Sequence, residues 1–196
     1  MGIIVSGNGI AGLSGALAVA NAGHDAILCG VAPSTTPSGG IQLAPNGWQA
    51  LDYIGLFDSA LKYATRLNYI NVRDLASGAT LTRLSLKNNY ASISRADLLH
   101  LLQDAVAANA AITSEAKLVK QAVTQKDCVQ LVCDDGSVMT APALIAADGI
   151  DGFGRQFVTG VASNSCLQTS RVAMRAEIDA SKLPAAFSQP ASNLWL

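Results

Sequence analysis

The stretch IIVSGNGIAGLSGALAVANAGHDAILCG, residues 3–30, decides the fold of this chain. It opens with a short apolar run typical of a buried strand, passes through a glycine-rich turn, and continues with apolar residues at helical spacing. Gly23 is expected as the C′ residue that ends the helix, and residues 26–29 are expected to form a second strand. The stretch therefore predicts a strand–helix–strand unit of an α/β fold.

The turn Gly7-Asn8-Gly9-Ile10-Ala11-Gly12 fits the G-x-G-x-x-G pattern of dinucleotide-binding units. Gly7 would permit the tight turn, Gly9 would let the backbone approach a pyrophosphate, and Gly12 would let the helix pack closely. The first N–H groups of the helix and the positive end of its dipole would then face the phosphates. The alternative is a turn that only packs a helix on a sheet, but the flanking strands are the context that the dinucleotide interpretation requires.

The second strand lacks the acidic residue that usually binds the ribose in such units, because Gly30 stands at that position. Asp25 lies at the start of the strand, at the wrong end of the sheet, and residues 31–33 offer no arginine for a phosphorylated ribose. Ribose recognition is therefore expected to be weaker or to use other groups. On this basis Gly30→Glu is expected to tighten dinucleotide binding.

Composition excludes several classes of function. The chain has 196 residues, half of them hydrophobic, and a net charge of −1, so it offers no basic surface for nucleic acid. Its longest apolar stretch, residues 10–22, is too short to span a bilayer, and no targeting signal is recognised, so we expect a cytoplasmic protein that does not enter membranes. The four cysteines show no metal-binding spacing and are expected to be small buried hydrophobes, and no metal site is predicted.

The middle of the chain predicts two helices followed by a hairpin. Residues 33–40 are expected to form a loop, and Pro45 begins a helix that ends at Gly55. A short helix is expected over residues 57–64. Strands over 67–75 and 80–86, joined around Ser77-Gly78, predict a hairpin in a separate sheet.

Ser94 and Asp97 come close to a capping box and predict the start of another helix, with an apolar stripe at Leu98, Leu101, Leu102, Ala105 and Val106. Arg95 at the first helical position opposes the helix dipole, which either an anionic ligand or a surface ion pair would explain.

The rest of the chain predicts mainly strands. Strands over 118–124 and 128–133 come first, and the second runs into an Asp-Gly hairpin turn. A buried strand over 143–147 places Asp148 at the sheet edge where α/β proteins bind ligands. The alternative for Asp148 is an N-cap of a short helix over 152–158. A last strand is expected over 172–178.

Four segments together resemble the FAD-dependent aromatic-ring hydroxylases, the class of p-hydroxybenzoate and salicylate hydroxylase. They are the glycine turn, residues 40–46 (GIQLAPN), residues 93–99 (ISRADLL) and residues 146–152 (AADGIDG). The resemblance covers nearly the whole chain and corresponds to the N-terminal half of the family. It implies a Rossmann-like FAD-binding domain over 1–160, with a β-meander insertion. Residues 66–92 would contribute strands to a β-sheet substrate domain whose truncated start is 161–196.

The resemblance also implies roles for single residues. The turn residues Gly7, Asn8, Gly9, Ile10, Ala11 and Gly12 would hold the FAD pyrophosphate. Gln42 would lie near the flavin chain, Arg95 would contact the phosphate–ribityl side of the flavin, and Asp148 would lie by the pyrophosphate. Family members use NAD(P)H to reduce FAD and then hydroxylate a small, typically aromatic molecule with oxygen. No catalytic side chain is assigned.

Two departures from the family pattern leave alternatives open. Gly30 replaces the family's glutamate for the adenosine ribose, and the family's later Gly-Asp motif has no counterpart in this chain. The chain is therefore an NAD(P)H-driven monooxygenase in incomplete form, a degenerate FAD-domain homologue that acts as a non-enzymatic subunit, or another FAD-dependent reductase or halogenase. Because the last strands would expose apolar faces, self-association or a covering partner is expected.

Overall fold

The fold is that of a computed structural model, which describes residues 2–32, 38–86, 90–161, 178–187 and 189–196. The chain divides into two compact units. The first unit comprises Met1–Thr36 and Leu99–Val172, and the second comprises Pro37–Leu98 and Ala173–Leu196.

Both units contain strands and helices. Along the described residues the elements are, in chain order, β1 (Ile3–Ser6), α1 (Ile10–Asn21), β2 (Ala26–Cys29), β3 (Gly40–Leu43), α2 (Pro45–Tyr53), α3 (Phe57–Leu61), β4 (Thr65–Arg66), β5 (Tyr69–Arg73), β6 (Thr80–Ser85), β7 (Ala91–Ser94), α4 (Arg95–Ala107), β8 (Ile112–Glu115), β9 (Val119–Thr124), β10 (Val129–Cys133), β11 (Val138–Ala141), β12 (Leu144–Ala146), α5 (Phe153–Thr159) and β13 (Ala191–Trp195).

A parallel sheet in the order β12-β1-β2-β8 forms the centre of the first unit. Ser6 of β1 is aligned with Ala146 on one side and with Cys29 on the other. The carboxyl ends of the strands therefore meet at one edge, which is where open α/β sheets bind ligands.

An antiparallel meander in the order β11-β10-β9 packs against this sheet. Their shared core consists of fully buried residues from both sheets: Ile4, Cys29, Val119, Leu131 and Ala141. α5 packs on β9 and β12. This core fixes the start of β9 beside the carboxyl end of β2.

The second unit contains two small sheets, ordered β13-β5-β6 and β3-β7-β4. β5 and β6 form an antiparallel hairpin, as the sequence predicted, and β13 adds to β5 in parallel. α2 and α3 pack through Trp48 and Phe57, whose rings meet edge to face with centroids 5.2 Å apart.

Most predicted elements are confirmed, including the α/β class, the first strand–helix–strand unit and both hairpins. Gly23 takes the left-handed conformation, with φ of +86°, immediately after the C-cap of α1. The second short helix ends at Leu61 rather than at residue 64. β7 and β8 were not predicted, because each is a four-residue strand with mixed polarity.

The strand predicted over 143–147 is present, but the prediction that it is buried was wrong. β12 spans only Leu144–Ala146, and Ile145 is 38% exposed. Among the described strands, β12 pairs only with β1 and is an edge strand, so its apolar composition does not reflect burial on both faces. The strand expected over 172–178 and the loop over 33–40 fall largely outside the described residues. Within the described ranges, no helix is both long and apolar enough to cross a bilayer.

Candidate functional site

A cavity of about 610 Å³ opens at the carboxyl edge of the parallel sheet. This volume falls in the range of small-molecule and cofactor sites. Four segments of the first unit line it, one after each of β1, β2 and β12 and one at the start of β9: residues 6–9, residues 29–31, residues 118–120, and residues 147–149, 151–153 and 156.

The glycines of the turn after β1 have different surroundings. Gly7 has φ of +117°, and a Cβ there would collide with the carbonyl oxygen of Ala147. A Cβ at Gly12 would collide with the carbonyl oxygen of Gly7. A Cβ at Gly9 would have no atom within 4 Å. Gly7 and Gly12 thus allow strands, turn and helix to pack, and Gly9 leaves the turn open to the cavity.

The N-terminus of α1 offers unpaired donors beside this turn. The helix begins at Ile10, and its N-cap Gly9 provides no side-chain hydrogen bond. The first hydrogen bond back into the turn is donated by the N–H of Leu13 to the carbonyl oxygen of Gly9, at 2.9 Å. The N–H groups of the preceding three residues have no carbonyl four positions earlier within the helix. Such donors, with the helix dipole, bind phosphate.

Gly30 lies against the backbone of the turn. A Cβ at this position would stand 2.8 Å from the backbone nitrogen of Asn8 and 3.0 Å from its Cβ. The N–H of Gly30 donates to the carbonyl oxygen of Glu115 at 3.0 Å, which fixes Gly30 between β1 and β8. This geometry predicts the opposite of the expectation that Gly30→Glu tightens binding, since any side chain here must first displace the turn.

Asp148 caps α5. Its Oδ2 accepts a hydrogen bond from the N–H of Gly154 at 2.9 Å, and the side chain is half-buried. Gly152 and Gly154 make room for this carboxylate, because a Cβ at either one would collide with it. The N-cap residue of α5 is Gly152 and not Asp148, but the Asp148 carboxylate accepts a hydrogen bond from the first turn of the helix, which is what an N-cap side chain does. Since Asp148 also lines the cavity, its assignment to the pyrophosphate stays a prediction.

Cys29 lies beneath the cavity as an inert thiol. It is 1% exposed, and its Sγ lies 3.8 Å from the Sδ of Met139. Burial, and to a smaller extent the neighbouring Cys133, raises the pKa of the Cys29 thiol from 9.0 to about 11. The thiol therefore stays protonated and unreactive near neutral pH.

This raised pKa predicts that stability falls in alkali. The unfolded chain ionises Cys29 near its ordinary pKa of 9.0, whereas the folded chain holds the proton until about 11. The stabilising contribution is complete below pH 9 and is lost as the pH rises through this window. Between pH 8.5 and 10.5, urea unfolding of Cys29→Ala should show a decline smaller than wild type by about 1–2 kcal/mol. Cys128→Ala, which removes a half-buried thiol, is the control variant.

Gln42 and Arg95 belong to the second unit. The Gln42 side chain donates to Ser192 Oγ at 2.8 Å and accepts from the Tyr90 hydroxyl at 3.0 Å. The Arg95 N–H donates to the carbonyl oxygen of Gly39 at 2.9 Å, and its half-buried side chain makes no ion pair with any described residue. Their assignment to the flavin stays a prediction.

Sequence reasoning gave no individual role to two charged residues that line the cavity, Asp151 and, on β9, Lys120. β9 is irregular at this point, since Val132 is aligned with Gln121 but Cys133 with Val119, which leaves Lys120 as the extra residue of a bulge. No alternation pattern reveals such a bulge. The one available signal was a basic residue immediately after the apolar start of a predicted strand.

Comparison with known proteins places the chain in a family. The profile of the family described as "Lycopene cyclase protein" matches residues 2–181. The chain is 31% identical over 203 residues to 3-amino-4-hydroxybenzoate 2-monooxygenase of Streptomyces cremeus, covering 99% of this chain and 50% of that protein. It is 32% identical over 170 residues to 3-hydroxybenzoate 6-hydroxylase 1 of Aquipseudomonas alcaligenes, covering 81% of this chain and 43% of that protein.

Solved structures agree with these relatives. The structure of Klebsiella pneumoniae HpxO complexed with FAD and uric acid superposes with a TM-score of 0.72 at 28% identity, over 84% of this chain and 43% of that chain. This chain thus spans about half the length of the curated relatives it matches. It belongs to the family described as lycopene cyclase protein, and its homologues are the FAD-dependent aromatic-ring hydroxylases that its four motifs resemble.

Proposed function

We propose that this chain forms the FAD-binding part of an NAD(P)H-driven monooxygenase that hydroxylates a small aromatic molecule. The observation that carries the proposal is the glycine turn, which opens at Gly9 into a cavity of about 610 Å³ beside the free N-terminus of α1. Two kinds of relative support it, namely aromatic hydroxylases at 31–32% identity and an FAD-complexed structure. We also propose a cytoplasmic location and self-association or a covering partner, as expected from the sequence.

The residues that line the cavity fit the pyrophosphate of FAD better than its adenosine ribose. The turn and the start of α1 offer backbone donors to a pyrophosphate, and the space above Gly9 is open to it. At the ribose position Gly30 offers no carboxylate to accept hydrogen bonds from the hydroxyl groups. FAD supplies the redox chemistry when bound, and these residues of the chain bind and orient it.

We include Arg95 and Gln42 in the proposed site because of the resemblance to the FAD-dependent aromatic-ring hydroxylases. The guanidinium of Arg95, which makes no ion pair with described residues, would balance negative charge on the flavin side. The Gln42 amide is held by Ser192 and Tyr90, so its orientation is fixed in advance. Asp148 would keep α5 in place beside the cavity through its bond to Gly154.

The visible absorption spectrum of the purified protein tests the proposal. After addition of FAD and desalting, wild type should retain a flavin band. Gly9→Val should weaken FAD binding by about tenfold or more with the fold intact, because Gly9 lines the cavity, its Cβ would meet no atom within 4 Å, and its backbone φ of −97° suits valine. Gly15→Ala is the matched control, since its Cβ would make an ordinary contact at 3.6 Å from Val5.

Absence of the band at saturating FAD would contradict the proposal. It would favour the second candidate, a homologue that does not bind FAD and acts as a partner subunit. The observation behind that candidate is the packing of Gly30 against Asn8, which blocks a ribose-binding side chain. Oxidation of NAD(P)H by the flavin-loaded protein would support the enzymatic assignment.

A further inference from the structure

Three sulfur atoms meet where the meander packs on the parallel sheet. Cys29 ends β2, Cys133 ends β10, and Met139 lies on β11. Met139 is aligned with Leu131, two residues before Cys133, so Cys133 and Met139 share the face of the meander that meets the parallel sheet. Cys29 comes to them from the facing sheet. The fold thus brings together a sulfur cluster, Cys29, Cys133 and Met139, from residues that the sequence keeps far apart.

The sulfur cluster already has the spacing of ligands around one metal ion. Met139 Sδ lies 3.8 Å from Cys29 Sγ and 3.7 Å from Cys133 Sγ. A metal–sulfur bond of about 2.3 Å places neighbouring sulfur ligands about 3.8–4.0 Å apart, in tetrahedral or trigonal geometry. An ion therefore fits among these sulfurs with little movement of the strands.

The surroundings of the sulfur cluster exclude water and favour a soft ion. Cys29 is 1% exposed and Cys133 is 3% exposed, and both are free cysteines. Within the described ranges, no third histidine, cysteine or carboxylate completes a metal site with them. The third ligand is then the thioether of Met139, and thiolate with thioether selects Cu(I) over Zn²⁺. Cys29 also lines the cavity, which gives an ion a path to the cluster.

Binding of a metal ion must displace the thiol protons. Burial keeps the Cys29 thiol protonated near neutral pH, but a bound cation takes the place of the proton. Cu(I) would form one bond to each thiolate and one to the thioether, and both thiol protons would pass to solvent, which leaves a singly negative complex. Of the charged groups that act on Cys29, Lys117 favours this negative charge and Glu115 opposes it.

We propose that Cys29, Cys133 and Met139 form a binding site for one Cu(I) ion, with two thiolates and one thioether as its ligands. The site lies in the core beneath the cavity and contains none of the residues of the glycine turn. It needs no flavin, so it stands independently of the proposed function.

Anaerobic titration of the reduced protein with Cu(I), in competition with the chelator bathocuproine disulfonate, tests the site. The protein carries Cys128→Ser and Cys166→Ser, so that the two cluster thiols are its only cysteines. It should bind one Cu(I) per chain and release two protons, and Zn²⁺ should not displace the copper. X-ray absorption at the copper edge should show three sulfur neighbours at about 2.3 Å.

Variants of the three ligands, made in the same cysteine background, test each bond. Cys29→Ala and Cys133→Ala should each weaken Cu(I) binding by about a hundredfold or more, because each removes a thiolate. Met139→Leu nearly conserves the side-chain volume and keeps both thiols, so it should fold like its parent. It should bind Cu(I) about tenfold or more weakly, with two sulfur neighbours instead of three.

Three outcomes would overturn the inference: no Cu(I) bound in competition with the chelator, unchanged affinity in Met139→Leu, or nitrogen and oxygen as the main neighbours of the copper. Retention of FAD without Cu(I) binding would refute the sulfur site and leave the proposed function standing. Cu(I) binding without retention of FAD would refute the proposed function and leave the sulfur site standing.

Discussion

Gly12→Ala is expected to destabilise the first unit by about 3 kcal/mol or more, which for a small domain is a large share of the total stability. The added methyl group would collide with the carbonyl oxygen of Gly7. Neither the Gly7 carbonyl nor helix α1 can move away without a loss of stability. Gly7 is held at φ of +117° against Ala147, and its N–H donates to the carbonyl oxygen of Cys29 at 2.7 Å. Relief of the clash would require α1 to move off the sheet and expose Leu13 and Leu17, which are buried.

The measurement is urea unfolding of wild type, Gly12→Ala and two controls on the same helix and turn. Gly15→Ala should be as stable as wild type or slightly more stable, because alanine favours a helix interior and its Cβ meets only an ordinary contact. Gly9→Ala should cost less than about 1 kcal/mol, since no atom lies within 4 Å of the new methyl group. If Gly12→Ala unfolds at the same urea concentration as Gly15→Ala, α1 is not packed on the turn as described.

The surroundings of these glycines explain which parts of the fold could be predicted from the sequence. The spacing of Gly7, Gly9 and Gly12 identified the turn because each glycine meets a backbone requirement that a local pattern records. The two hairpins were predictable for the same reason, since Gly78 and Gly136 sit in their turns with φ of +72° and +79°. Turns of this kind can be predicted because their geometry depends on residues that are close together in the sequence.

The features that were missed depend on partners distant in the chain. The apolar sequence of β12 predicts a buried strand, and only the order of strands in the sheet shows that β12 is an edge strand. Lys120 lines the cavity at the point where β9 shifts register against β10, and no periodicity in the sequence indicates such a shift. Asp148 was predicted either as an N-cap or as a ligand. The structure has Gly152 as the N-cap, and Gly152 and Gly154 leave room for the Asp148 carboxylate to accept from the first turn of α5.

Gly30 is the position where the sequence and the structure lead to opposite predictions, and this makes Gly30→Glu the second decisive variant. From the sequence alone, the glutamate restores a ribose-binding carboxylate and tightens FAD binding. In the structure, the Cβ of any residue at this position stands 2.8 Å from the Asn8 nitrogen, so the variant must shift the turn to which we assign pyrophosphate binding under the proposed function. We expect a loss of stability of about 1–3 kcal/mol and no tightening of FAD binding.

Two further variants separate the effect of the steric clash at position 30 from the effect of the added carboxylate charge. Gly30→Ala carries the same Cβ without the carboxylate and should lose the same stability as Gly30→Glu. Val31→Glu places the carboxylate one residue further, at a cavity-lining side chain that is 55% exposed, and should leave stability within about 0.5 kcal/mol of wild type. The measurements are the free energy of unfolding, from chemical denaturation, and the affinity for FAD, from titration, for each of the three variants. Tighter FAD binding by Gly30→Glu at unchanged stability would show that the turn yields to the new side chain and that charge, not packing, governs this position.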